Sequence, residues 1–230
     1  PIAWANVPDG KQAPHVGLKL GGLGVSMNDV TLVSPQIVDA CFTGAPTEWL
    51  PQDGDWDISD RWNCQPQWSW FCGRNAETPL LWSKQSFSGD MVFEYWAGVM
   101  MDMPKGPGYS HPSDLNGVIC GDGQNLCSGY AVVLAGDNNT RGKILRKGET
   151  VAESAHAVFE NPTTGNLNGF HRHWFHVRTE KVGGRITMYV DGQRAMEYED
   201  NAPLPAGRIG LWSAQGNGMM VARVRVAYAG

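Results

Sequence analysis

HRHWFHVRTEKVGGRITMYVDGQ, residues 171–193, is the stretch that decides the fold. Adjacent glycines at 183 and 184 supply the positive φ of a primed hairpin turn. A two-residue turn there pairs Glu180 with Thr187, Arg178 with Tyr189 and His176 with Asp191. Side chains alternate across a strand, so Phe175, Val177, Ile186, Met188 and Val190 share one face, the core side. Trp174, His176, Arg178, Thr187, Tyr189 and Asp191 share the other. A four-residue turn changes the partners but leaves every residue on its face.

The same alternation recurs outward from this hairpin. In DMVFEYWAGV, Met91, Phe93, Tyr95, Ala97 and Val99 form one face, and Val92, Glu94, Trp96 and Gly98 the other. In GMMVARVRVAY, Met220, Ala222, Val224, Val226 and Tyr228 are expected to point inward, with Arg223 and Arg225 outward. Helical periodicity is nearly absent. Short runs bounded by Gly, Pro, Asn and Asp predict strands at 37–43, 55–60, 79–84, 90–99, 115–120, 129–135, 142–147, 173–180, 185–191, 194–199, 207–213 and 219–228. So many short strands imply an all-β protein, a two-sheet antiparallel β-sandwich of jelly-roll type over residues 36–230. Residues 1–35 are rich in glycine and poor in charge. Leu18, Leu20, Leu23, Val25 and Val30 want burial, so this segment is expected to pack on the sandwich or extend it, with homo-oligomer assembly through it as one outcome.

A formal net charge of −5 argues against a nucleic-acid partner, which wants a basic field. No run approaches the roughly 18 apolar residues of a membrane span, so no membrane insertion is expected. The chain opens at Pro1 with no signal-peptide pattern. Ten tryptophans against only 18% charged residues suit a turn-rich β protein with aromatic surfaces.

The cysteines at 64 and 72, and at 120 and 127, are spaced for two local disulfides, leaving Cys41 single. Zinc is the rival reading, but Cys64 and Cys72 lack zinc-knuckle spacing. Two disulfides imply an oxidising compartment, so the expected location is secreted, periplasmic or cell-surface. Cys64 and Cys72 bracket NCQPQWSWFCG, residues 63–73, a loop carrying Trp68, Trp70 and Phe71. Sugar rings stack on aromatic planes, so Trp68 and Trp70 are candidate glycan contacts; the alternative is that they close the end of the sandwich.

The pattern W-x-H-V-R-x-x-K-x-G-G-R-I-x-x-Y-V-D-G-Q from Trp174, with Y-E-D at 198–200 and G-R-I-G-L-W at 207–212, resembles the concanavalin A-like lectin/glucanase sandwiches. Within that superfamily it is most similar to the YesU-like proteins of bacterial polysaccharide-utilisation systems. P-S-D-L-N-G at 112–117, S-G-Y at 128–130, G-D-N-N-T at 136–140 and K-I-L-R at 143–146 extend the likeness, which runs from about Trp49 to Tyr228. The resemblance implies a jelly roll that holds a glycan on a concave sheet, with Asp114, Asn116, Tyr130, Asn139, Thr140 and Arg146 as matching polar positions. It carries over no enzyme mechanism. FEYWAG around Glu94 lacks the second acid of the E-x-D-x-x-E strand of laminarinase-type hydrolases, and the R-x-E-x-R and Q-x-H signatures of alginate lyases are missing.

Hydrolysis needs two carboxyl groups flanking the bond, and no spacing selects a partner for Glu94. Elimination on a uronate needs a histidine or tyrosine base and a cation to neutralise the carboxylate. His173, His176, Tyr130 and Arg146 supply these slightly better. Candidate substrate contacts are Trp68, Trp70, Trp96, Asp114, Asn116, Asn139, Trp174, Arg178 and Tyr189. Asp191 reads as the turn acid of V-D-G. Asp53, Asp55 and Asp57 alternate onto one side and form a candidate calcium site, without the glycine and glutamate of an EF-hand; a solvated strand is the plainer account. The expected protein binds, and if catalytic cleaves, a plant or algal polysaccharide. A non-catalytic binding module and a structural surface protein are the alternatives.

Overall fold

The computed structural model describes residues 35–42, 44–60, 69–100, 114–155, 174–214 and 218–229. The N-terminal segment 1–34 lies outside these residues, as do Cys64, Trp68 and His173. Among the described residues the chain forms β1 (Gln36–Ala40), β2 (Trp49–Asp53), β3 (Asp55–Asp60), β4 (Ser69–Arg74), β5 (Leu80–Phe87), β6 (Met91–Met100), β7 (Asn116–Gly121) and β8 (Tyr130–Ala135). After a helical turn, α1 (Gly136–Asn139), come β9 (Arg141–Arg146), β10 (Glu149–Ser154), β11 (Phe175–Val182), β12 (Arg185–Val190), β13 (Gln193–Glu199), β14 (Gly207–Trp212) and β15 (Gly218–Tyr228). No described helix is long and apolar enough to cross a membrane.

The strands build two antiparallel sheets. One has the order β13-β12-β11-β6-β15-β4-β3, with β1 also paired to β15, making eight strands. The other has seven, in the order β10-β9-β8-β7-β14-β5-β2. Each expected strand is present; β2, β4 and β10 are additional. Trp70 therefore belongs to a strand, β4, rather than to the clasped loop. Phe71 of that strand is buried and packs against Phe42 and Trp56, seating this part of the chain in the core.

The deciding hairpin has the expected register: Arg178 lies opposite Tyr189 and Glu180 opposite Thr187, while the Asp191 amide donates to the His176 carbonyl at 2.8 Å. The two glycines divide the work. Gly183 takes the positive φ, 57°, whereas Gly184 gives room: a Cβ there would fall 2.2 Å from the Asp200 carbonyl oxygen. Phe175, Val177, Ile186, Met188 and Val190 all enter the core between the sheets. A one-residue slip would turn these five outward. At roughly 1.5–3 kcal/mol each, the loss is on the order of 10 kcal/mol, comparable to the whole stability of a domain.

Two expectations are corrected. In β15 it is Met219 and Val221, not Met220 and Ala222, that enter the core. A bulge between Val221 and Arg223 resets the alternation, so Val224, Val226 and Tyr228 still point inward. Cys120 and Cys127 form no disulfide: both are thiols, Cys120 turned into the core and Cys127 exposed. Burial pushes the Cys120 thiol up to about 11. Hydrogen bonds close that loop instead. Asp122 Oδ1 accepts from the Gln124 and Asn125 amides at 2.8 and 2.7 Å, and Asn125 Oδ1 accepts from the Cys127 amide at 2.9 Å. These bonds hold the Asp122 carboxyl below the usual range.

Candidate functional site on the eight-stranded sheet

The polar positions of β11, β6, β15 and β1 meet on the outer face of the eight-stranded sheet. Cross-strand register sets His176 beside Trp96, Trp96 beside Arg223, Arg178 beside Glu94, Glu94 beside Arg225, and Arg225 beside Asp39. The Trp96 and His176 rings stack at 4.4 Å with an interplanar angle of 11°, and the Arg223 guanidinium lies 5.6 Å from the Trp96 ring centre. Both partners flank the indole on neighbouring strands, so Trp96 is the middle of a stack.

Trp174 is the more open indole of this face. Its indole lies over Gly98 so closely that a Cβ at that position would touch the ring at 3.4 Å. Trp174 remains 39% exposed. A flat, half-open indole beside hydrogen-bonding groups is the arrangement that receives the C–H face of a sugar.

Beside it, His176 Nε2 is 3.0 Å from Glu94 Oε1, and Arg225 Nη1 is 3.9 Å from Glu94 Oε2. Burial works to raise the Glu94 pKa, but the His176 hydrogen bond and the charges of His176, Arg225 and Arg178 outweigh it and hold the carboxyl below the usual range. Asp39 accepts from Arg223 Nε and Nη2 at 2.9 and 2.6 Å, and this paired bond keeps its carboxyl low as well. Arg178 pairs with Glu180 and lies 5.3 Å from the Tyr189 ring centre, while the Tyr189 hydroxyl donates to Glu180 Oε2 at 3.4 Å. Asp191 Oδ1 accepts from the His176 amide at 2.9 Å, which makes it the expected turn acid and fixes the strand under the stack.

Of the predicted site residues, Glu94, Trp96, Trp174, His176, Arg178 and Tyr189 thus share one face. Tyr130, Arg146, Asp114 and Asn116 do not join them. Tyr130 is fully buried on the seven-stranded sheet; its hydroxyl donates to Asp200 Oδ2 at 2.5 Å and accepts from the Leu204 amide at 2.9 Å. Arg146 Nε donates to the same carboxylate oxygen at 2.6 Å, and its Nη2 to the Ala202 carbonyl at 2.8 Å. Their polar groups clasp the segment after β13. Burial and the Asp200 hydrogen bond push the Tyr130 hydroxyl up to about 12, far from the range of a base at neutral pH. Asn116 is buried, with Oδ1 accepting from the Leu134 amide at 3.0 Å; Asp114 is buried at a φ of 68°. Asn139 ends α1, the turn that joins β8 to β9 of the same sheet. Cys72 is buried in β4, and its expected partner Cys64 lies outside the described residues.

The three acids of the candidate calcium site are each engaged locally. Asp53 Oδ1 accepts from the Gly54 amide at 2.9 Å, Asp55 from the Asn75 amide group at 2.8 Å, and Asp57 from Arg74 at 2.9 Å. Among the described residues no three His, Cys, Asp or Glu side chains converge as metal ligands.

Sequence reasoning left Asp39, Arg223, Arg225 and Gly98 out of the site. The outward R-x-R of β15 and the glycine on the Glu94 face were the available signals. Asp39 joins only through the β1–β15 pairing, which no local pattern announces.

No protein-family model and no curated relative matches the sequence. Solved structures do match in fold. A carbohydrate-binding module, CBM66 from Bacillus subtilis, superposes with a TM-score of 0.54 at 17% identity, covering 76% of this chain and 94% of that one. The apo Crh5 transglycosylase gives 0.57 at 14%, covering 86% of each. Bacillus licheniformis beta-glucanase gives 0.54 at 12%, covering 83% of this chain and 97% of that one. The chain therefore has the concanavalin A-like, galectin-like β-sandwich fold.

Proposed function

We propose that the protein is a glycan-binding jelly roll that receives a polysaccharide on the outer face of its eight-stranded sheet, without cleaving it. The observation that carries this reading is Trp174 lying flat over Gly98, half-exposed, at the head of the Arg223–Trp96–His176 stack. The fold neighbours, a carbohydrate-binding module, a transglycosylase and a glucanase, support the ligand class.

Chemistry argues for holding rather than cutting. A glycosidase keeps one carboxylic acid protonated by raising its pKa. Glu94 and Asp39 are held low instead, each against a cationic or imidazole partner. Elimination retains His176, oriented by Glu94, as a base, but Tyr130 and Arg146 serve the Asp200 clasp. A polysaccharide ligand implies a place outside the cytoplasm, and we carry that location as part of the proposal. We also keep the YesU-like proteins as the proposed kin within the sandwich class, on the 174–193 pattern.

The test is a panel of neutral and acidic polysaccharides scored by retardation in native gels, and in parallel for new reducing ends and for unsaturated-uronate absorbance. Retardation without product, weakened by Trp174→Ala, is the expected result. Product formation lost in His176→Gln would replace the binding module with an enzyme.

A further inference from the structure

We infer that this face selects neutral glycans and rejects uronate-bearing and sulfated ones; the inference rests on the proposed site. Among the described residues six arginines stand on the outer face of the eight-stranded sheet, and each has a carboxylate against it. Arg74 faces Asp57, Arg178 faces Glu180, Arg185 faces Glu199, Arg194 faces Glu197, Arg223 faces Asp39, and Arg225 lies between Asp39 and Glu94. Among the described residues the lattice is zwitterionic, every guanidinium on it standing against a carboxylate.

A uronate carboxylate or a sulfate binds through a guanidinium that is ready to donate both N–H groups of its fork. Arg223 already spends Nε and Nη2 on Asp39. Nε of Arg178 and Nε of Arg225 have no hydrogen-bond acceptor, but neighbouring atoms enclose them, so an incoming anion does not reach them. To bind at Arg223 an anion has to displace Asp39, and at Arg225 it stands beside Asp39 and Glu94, which lie 3.6 and 3.9 Å from that guanidinium, like-charge contacts that cost affinity. A sugar hydroxyl meets no such conflict. It donates to a carboxylate and accepts from a guanidinium at the same time, and a pre-formed ion pair offers both at fixed spacing. The indole of Trp174 adds an uncharged platform at the end of this lattice.

The experiment compares retention of the full chain by a neutral β-glucan, by polygalacturonate and by a sulfated polysaccharide, each at low and at high salt. Wild type is expected to bind the neutral polymer with little salt dependence and to ignore the two anionic ones. Asp39→Asn removes the carboxylate shared by Arg223 and Arg225 and is expected to create retention by polygalacturonate at low salt, at least tenfold over wild type. Adding Arg223→Gln and Arg225→Gln to it should abolish that gain. Wild-type binding of polygalacturonate that is lost in Trp174→Ala overturns the selectivity and leaves the site standing. Binding of neither class overturns both. Absence of the Asp39→Asn gain overturns the ion-pair account of selectivity even if the neutral polymer binds.

Discussion

Glu94 and Asp200 are both carboxylates held between a ring and an arginine: Glu94 between His176 and Arg225, Asp200 between Tyr130 and Arg146. In sequence the two groups look alike: Glu94 and His176 of one, and Tyr130 and Arg146 of the other, are candidates through the same residue types. In space they part. The Asp200 cluster adds to its side-chain bonds three that reach backbone, at Leu204 and Ala202, so it holds one loop. The Glu94 cluster lies on an outer face, its bonds are between side chains, and its rings are stacked in a plane that a ligand can meet. Residue type proposes chemistry, but it is the partner of the last unshared bond that separates a clasp from a site.

The contrast breaks first on stability. Tyr130→Phe leaves the Leu204 amide without its acceptor and Asp200 with one donor fewer, so it should cost about 1–3 kcal/mol, read from urea unfolding, with glycan retention of the folded protein unchanged. If retention falls instead, the clasp belongs to the binding site. Trp174→Ala should do the reverse: about tenfold weaker glycan binding, near 1.4 kcal/mol, with an unfolding midpoint close to that of wild type.

Acid tests the Asp200 clasp next. Burial raises the Asp200 pKa, but Tyr130, Arg146 and the Ala202 amide together hold it below the usual range. A depressed folded pKa gives stability that is complete above the unfolded value, about 3.9, and lost as pH falls through the folded one. The urea midpoint of wild type should therefore decline below about pH 4, and Asp200→Asn, already less stable, should decline less steeply. An equal slope in the two proteins would show that Asp200 is not held in this way. The smallest effect belongs to His176→Gln, expected to change stability by less than about 1 kcal/mol because its bond to Glu94 is partly solvated, while weakening glycan binding measurably by removing the stack under Trp96.

The fold was largely legible because burial is expensive to get wrong. The V-G-G-R turn and five apolar side chains in alternation at Phe175, Val177, Ile186, Met188 and Val190 permit one register. Half of the site followed, since faces follow from register. What could not be read depended on distance. Asp39 reaches Arg223 across 184 residues, and Tyr130 reaches Asp200 across 70, and nothing local in either stretch specifies the partner. β4 was hidden for a different reason. Two cysteines suggested a loop, whereas Phe71 shows that the segment was a strand seeking the core. Cys120 and Cys127 misled in the same way, because a loop already closed by Asp122 and Asn125 has no need of a crosslink.

The bulge at Ala222 carries one more consequence, for how this chain tolerates change in length. Before it, odd-numbered residues of β15 face the core; after it, even-numbered ones do. The strand also changes neighbours there, with β4 alongside Met219–Val221 and β1 alongside Val224–Tyr228. Removing Ala222 would set Val221 and Arg223 in direct succession, as their partners Ala97 and Trp96 already stand, and leave Arg223 and Arg225 outward and Val224 and Val226 in the core. That point is a slack link: the extra residue lengthens the strand without deciding which side chains reach the recognition face.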